Sequence, residues 1–242
     1  MRRGATWSEK PKGVDIYKVV NVTSAQKEDS PYRRDFSPMT PVIRYKDDKE
    51  VGYKGFWNFE SYWQSGKVFD GIPKNVSRKW WKAQKEPKRK YAGPGSSGKS
   101  LTVLHSAWPD HTDENGKEKE MQWIQSRKEV YVPEYIKLVK DRESIASLQA
   151  LINSGKNIII YDLDGPKKAD GTPDTLEVTL DVLREKINAT DFPFGHGYIV
   201  AALILGISPK EYTIADRNDK QKVEIPEEEE VIDVGAAAAA EP

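Results

Sequence analysis

The sequence predicts an α+β fold: a mostly helical single domain with a small sheet, carrying a flexible acidic tail. Three observations lead there. Amphipathic helical periodicity recurs over 56–70, 144–154 and 175–187. Only short β-rich runs interrupt it, DIYKVVNV at 15–22, VIRYK at 42–46 and NIIIY at 157–161. After Asp216 the chain turns acidic and ends in EEEEVIDVGAAAAAEP, a composition too polar to pack. The expected organisation is a flexible N-terminus (1–13), a domain (14–216) and an acidic tail (217–242).

Composition narrows the function classes. Thirty-eight basic side chains balance thirty-eight acidic ones in 242 residues, so no global field draws the chain to nucleic acid or membrane. Hydrophobic content is 37%, and seven Trp with eleven Tyr supply core volume. The absence of cysteine excludes disulfides, thiolate metal sites and Cys nucleophiles, and fits a reducing compartment. No apolar run reaches membrane-spanning length and MRRGATWSEKPKG lacks a signal-peptide core. The expectation is a cytoplasmic protein with no membrane partner.

The central stretch is Phe56–Asp70, FWNFESYWQSGKVFD, read as one helix. At 100° per residue Glu60, Gln64 and Lys67 share a stripe, with Phe56 and Trp63 along its edge. Phe59, Tyr62, Gly66 and Phe69 cover the next face, leaving Asn58, Ser61 and Ser65 as a narrow polar back. Glu and Lys are seldom buried without a partner or a task. Glu60 and Lys67, roughly 10 Å apart along such a helix, are too distant for a surface i,i+4 pair. An acid, an amide and an ammonium spaced along a mostly apolar helix describe the wall of a polar pocket; a solvent-edge stripe is the plainer alternative.

Before this stretch, 23–41 reads as loop, and 42–52 as a hairpin or strand-loop. After it, 74–99 carries nine Lys/Arg against one acid, Glu86, a local net charge of +8. Trp80, Trp81 and Tyr91 are interleaved, a pattern that suits phosphates and stacked bases as well as a solvated basic loop. His105–Glu120 reads as a polar loop. His105, Asp110 and His111 have ligand chemistry, but Pro109 and the polar context favour exposure, and no metal or cofactor is expected. A helix over 119–128, a connection through Val130–Pro133 and a helix over 134–140 follow. Ser144 is placed as N-cap of 144–154, which Gly155 ends.

The run 157–161 is read as a buried strand delivering Asp162-Leu-Asp164-Gly-Pro, either site carboxylates or ordinary turn chemistry. Gly195-His196-Gly197 opens an almost wholly apolar helix ended by Gly206. Its free amides make an anion site, or the glycines merely shape the turn.

Gly93-Pro-Gly-Ser-Ser-Gly-Lys-Ser100 matches GxxxxGK[ST] letter for letter. The match has meaning only if an apolar strand feeds it and a helix leaves it. EPKRKYA before it is charged and LTVLHSAWP after it is short, so a P-loop NTPase is a minor alternative.

Glu60-Ser-Tyr62-Trp63-Gln64-Ser-Gly-Lys67 resembles the E-x-Y-[FW]-Q-x-x-K signature of the NADAR (YbiA-like) superfamily. The later order is similar over roughly 42–208: basic residues with Trp80 and Trp81, a helix pair, a strand ending in Asp, and a Gly-containing turn into an apolar helix. Residues 93–120 look like an insertion. Gly195-His196-Gly197 departs from the Gly-Asn-type turn usual in the family, so the resemblance is to a divergent member. It implies a YbiA-like fold and an N-glycosidase cleaving a ribose–nitrogen bond in a nucleotide-like substrate such as ADP-ribosylated guanine. It implies that Glu60, Gln64 and Lys67 line the site, with Tyr62 and Trp63 of the same signature, and that Asp162 or Asp164 is the strand-end acid. Glu60 or Asp164 then stabilises the sugar cation or activates water, and Lys67 binds phosphate or assists the leaving group. Gly195, His196 and Gly197 hold phosphate, while Trp63, Trp80 or Trp81 stacks on the base. The competing reading is a catalytically inactive module binding ADP-ribose, or nucleic acid through 74–99.

Overall fold

The computed structural model describes residues 2–3, 17–23, 31–42, 45–46, 49–50, 52–96, 100–168 and 170–214. Helices outweigh strands, and the class is α+β. The main sheet is small and parallel, in the order β1 (Arg2–Arg3), β7 (Asn157–Asp162), β2 (Tyr17–Asn21). β2 pairs β7 in register, Tyr17 opposite Asn157 and Asn21 opposite Tyr161. Ile160, Tyr161 and Asp162 of the central strand are buried, as its apolar run requires. β3 (Tyr45–Lys46) and β4 (Lys49–Glu50) form the hairpin expected over 42–52. The expected termini, 1–13 and 217–242, lie almost wholly outside the described residues, as do Ser97, Gly98 and Lys99.

Several elements differ from the sequence expectation. The stretch 23–41 contains α1 (Pro31–Phe36), which buries Arg33 and Phe36 one turn apart. Arg33 donates Nε to the Thr23 carbonyl, so a polar composition hid a helix with an inner edge. The central helix is also shorter than read: α2 spans Phe59–Ser65 only, capped by the Asn58 side chain, which accepts from the Ser61 amide. The Trp108 indole ends it, lying over Gly66 and donating Nε1 to the Tyr62 carbonyl at 3.0 Å. The chain then extends as β5 (Lys67–Phe69), antiparallel to β6 (Val103–Ser106). Lys67 therefore sits on a strand, not two helical turns from Glu60. The supposed polar back of Asn58, Ser61 and Ser65 is buried.

The basic stretch begins with α3 (Lys74–Ala83). The loop expected over 105–120 starts inside β6 and buries Trp108. α4 (Trp123–Ser126), a π-turn (Arg127–Tyr131) and α5 (Val132–Val139) run on as one winding, without the expected break at Val130–Pro133. Pro133 lacks an N–H and its ring crowds the carbonyl four residues back, and the widened turn just before it accommodates both. α6 (Glu143–Asn153) starts one residue early, with Arg142 at the cap position; Ser144 donates instead to the Asp35 carboxylate. Gly155, at φ +81°, ends α6 as expected. α7 (Leu180–Asn188) begins five residues late because Thr179 caps it. α8 (His196–Ile204) and α9 (Pro209–Thr213) complete the chain.

The core around α2 is aromatic. Phe59 contacts Tyr53, Tyr131 and Tyr135, with ring centroids 5.4–5.6 Å apart. Trp63 lies between Trp108 at 5.2 Å and Tyr131 at 4.9 Å. Such tilted and edge contacts add about 0.5–1.5 kcal/mol each beyond burial. They fix α2 against the π-turn, which sets the site's geometry. Among the described residues no helix is long and apolar enough to cross a membrane.

Candidate functional site

The carboxyl ends of β2 and β7 meet the start of α8, and there the acids gather. Ligand sites in parallel sheets lie at this end of the strands. The Val22 amide donates to the Tyr161 carbonyl at 3.0 Å, continuing the pairing past β2. Asp162, 1% exposed, accepts the Gly197 amide on Oδ2 at 2.9 Å, and His196 Nδ1 lies 3.4 Å from the same oxygen. His196 Nε2 is 2.6 Å from the Val22 carbonyl, so Nε2 carries a proton, because a carbonyl only accepts. Gly195 is compulsory: a Cβ there would stand 2.6 Å from the Asp164 Cβ and 2.7 Å from Asp162 Oδ2.

Glu60 enters this region from α2. Its Oε1 accepts from Gln64 Nε2 at 2.8 Å. Burial pushes its carboxyl above the usual carboxylate range, outweighing that bond and the attraction of Lys67, His196 and Arg89. Tyr131 gathers the acids. Burial raises its hydroxyl well above the ordinary tyrosine value, and the charges of Glu60, Asp162 and Asp164 raise it further. Tyr131 thus stays neutral, within electrostatic range of Glu60, Asp162 and Asp164.

The cationic side is built on Trp123. Lys67 Nζ stands 5.5 Å from the Trp123 ring centre and the Arg127 guanidinium carbon 4.6 Å from it. Arg127 is buried and donates to the Ala189 carbonyl at 2.6 Å and the Phe192 carbonyl at 2.7 Å. Burial pulls it down to about 10, while Asp164, Tyr131 and Asp191 oppose the fall. It therefore stays charged at neutral pH and clamps the segment that leads into Gly195.

The structure brings together Glu60, Gln64, Lys67, Asp162, Asp164, Gly195, His196 and Gly197. It separates Trp81, which is fully buried beneath α3 and has no face for a ligand. Tyr62 turns to the other side of α2: its hydroxyl meets the Asp110 carboxylate at 3.1–3.2 Å and Lys54 Nζ at 3.4 Å. Trp63 is enclosed by Trp108, Trp123 and Tyr131. The anion site anticipated at α8 is filled by the protein's own Asp162, which leaves His196 as an anchor and not a phosphate ligand. For the GxxxxGK[ST] match, Glu86–Ala92 form no strand and β6, not a helix, follows Ser100. Among the described residues no group of three or more His, Asp or Glu could hold a metal ion.

Sequence reasoning missed Trp123, Arg127 and Tyr131. Their i,i+4,i+8 spacing was the available signal, obscured by the break placed at Val130–Pro133. It also missed Thr23, 1% exposed beyond the end of β2, whose hydroxyl has no hydrogen-bond partner among the described residues. No family model matches the chain, and no curated protein or solved structure matches it significantly.

Proposed function

We propose that the protein hydrolyses a ribose–nitrogen bond in a nucleotide-like substrate such as ADP-ribosylated guanine. What supports this is that Asp162 and Asp164 meet at the Gly195 turn, with Glu60 in electrostatic range of the same Tyr131, beside the Lys67 and Arg127 cations on Trp123. N-glycoside cleavage passes through an oxocarbenium-like sugar, as glycosidase chemistry does. It calls for a carboxylate facing the cation and an acid to protonate the departing nitrogen.

The environments divide these tasks. Glu60, held toward its protonated form by burial, suits the proton donor. Asp162 is committed to the α8 start and positions the turn. Asp164, two residues on and beside the charge of Arg127, is the carboxylate for the sugar cation or the attacking water. Lys67 takes substrate phosphate or the leaving group. Gln64 orients Glu60, and Tyr131 donates a hydrogen bond to a sugar oxygen.

The test is incubation with an ADP-ribosylated guanine nucleotide and chromatography for free ADP-ribose. Release is expected, with kcat about 100-fold lower or less still in Glu60→Gln and in Asp164→Asn, the typical size of general acid–base catalysis. No release by wild type, or equal release by both variants, overturns the reading.

A further inference from the structure

Beside Asp164 the surface dips into a shallow hollow, lined by Asp164, Lys167, Lys186, Phe192, Pro193 and Tyr198, over which the Phe192 ring stands exposed. We infer that it is a nucleotide subsite, taking a phosphate-bearing aromatic base next to the acid cluster. This deepens the glycosidase reading and rests on it for the second half of the substrate only.

Phe192 is the first reason. It is one of four large hydrophobic side chains exposed among the described residues, at 36%. Its mount is nevertheless rigid: the buried Arg127 holds the Phe192 carbonyl at 2.7 Å and the Ala189 carbonyl at 2.6 Å. Phe194, two residues on, is buried and stacks on Tyr198 at 5.1 Å. An exposed ring on a fixed backbone pays little ordering entropy on stacking against a base. The second reason is charge. Lys167 Nζ lies 5.9 Å from the Phe192 ring centre, so cation and aromatic face already stand together. Lys186 is on the same wall, reaching from the last turn of α7. The Lys186 ammonium is 2.7 Å from the exposed Glu185 carboxylate. One ammonium at the ring and a second lysine on the same wall are the chemistry that receives a phosphate and a π-face at once.

Position is the third. Asp164 is a wall of this hollow and also one of the three carboxyl groups in electrostatic range of Tyr131. A ligand seated on Phe192 therefore places its remaining part at the acids. The carboxylate also disfavours a phosphate close to it and steers the anion toward the lysines.

The probe is AMP, titrated calorimetrically into the full chain, with adenosine and inorganic phosphate as the two half-ligands. Saturable AMP binding is expected, weaker for either half alone. Phe192→Ala weakens AMP about tenfold, the size of losing one base–aromatic stack. Lys167→Ala/Lys186→Ala weakens AMP and phosphate but not adenosine, and Asp164→Asn tightens AMP. Amide exchange with bound AMP gives a readout independent of the variants: protection gathers at the amides of Asp164, Gly165, Lys167 and Phe192. Glu60→Gln keeps AMP binding while losing turnover. So localised AMP binding without ADP-ribose release defeats the glycosidase reading alone. Unchanged AMP affinity in Phe192→Ala and in the double lysine variant, protection elsewhere, or no saturation defeats the subsite.

Discussion

The Gly197 amide donates to Asp162 Oδ2 at 2.9 Å, joining the end of the central strand to the start of the apolar helix α8. The bond is charge-assisted and lies at the positive end of the helix dipole, where a carboxylate is favoured. The same oxygen faces His196, whose other nitrogen is tied to Val22 on the neighbouring strand. One carboxylate thus fixes two strands and a helix around the acid cluster. Replacing it with Asp162→Ala leaves a buried amide and imidazole without their partner. The expected loss is about 3 kcal/mol in urea unfolding, with Asp162→Asn intermediate.

Gly195→Ala presses a methyl group onto Asp162 and Asp164 at distances no Cβ tolerates. Asp162 is held by the Gly197 amide, and the Asp164 atom met is its Cβ, fixed to the main chain, so neither withdraws cheaply. The variant is expected to lose about 1–3 kcal/mol, the range for overpacking, and, on the hydrolysis proposed above, most of its ADP-ribose release, because the turn and the acids move together. Wild-type activity in Gly195→Ala contradicts this.

Gly66→Ala tests why α2 stops. A Cβ there would lie 2.0 Å from the Trp108 ring, itself buried and hydrogen-bonded to Tyr62. The expected effect is a fall in thermal midpoint corresponding to about 2–3 kcal/mol. Trp108→Ala in the same background should recover part of it, since the obstacle is removed. Additive losses instead would show that the indole does not end the helix.

Glu60 gives a pH dependence of defined sign. Its folded carboxyl is raised above the ordinary value of 4.5, so the folded state binds its proton more tightly than the unfolded chain. Stability carried by that proton is present at low pH and falls as pH rises through the folded value. Glu60→Gln, which keeps an acceptor for Gln64, is therefore expected to be more stable than wild type at pH 8 and no better at pH 4. Chemical denaturation at the two pH values reads this directly; the reverse order is inconsistent with a desolvated Glu60.

Glu134 has the opposite sign. Burial opposes its ionisation, but bonds from Lys137, Lys54 and the Tyr53 hydroxyl outweigh it and hold the carboxyl down at about 2. Its contribution is complete above the unfolded value of 4.5 and disappears as pH falls toward about 2. Glu134→Gln is expected to be destabilised at neutral pH and to converge with wild type near pH 2. A pH-independent difference would show that packing, not charge, is what the substitution removes.

The candidate site residues stand out in the chain because their types conflict with their surroundings. Glu60 and Gln64 sit in an aromatic stretch, and Asp162 and Asp164 follow three isoleucines. Local composition also settled the α+β class, the strand over 157–161, and the ends of α6 and α8 at Gly155 and Gly206, whose φ values of +81° and +70° suit glycine. Tertiary contacts decided the rest. Lys67 obeys helical spacing on paper, yet Trp108, forty-one residues later, occupies the space the next turn of α2 needs, and β6 offers a strand partner instead. Trp81 belongs to a basic, base-stacking pattern by sequence and to the core by burial. Whether the α8 start holds a substrate phosphate or Asp162 depends on where β7 ends in space. Periodicity records which faces are apolar; only packing decides which atoms fill the remaining volume.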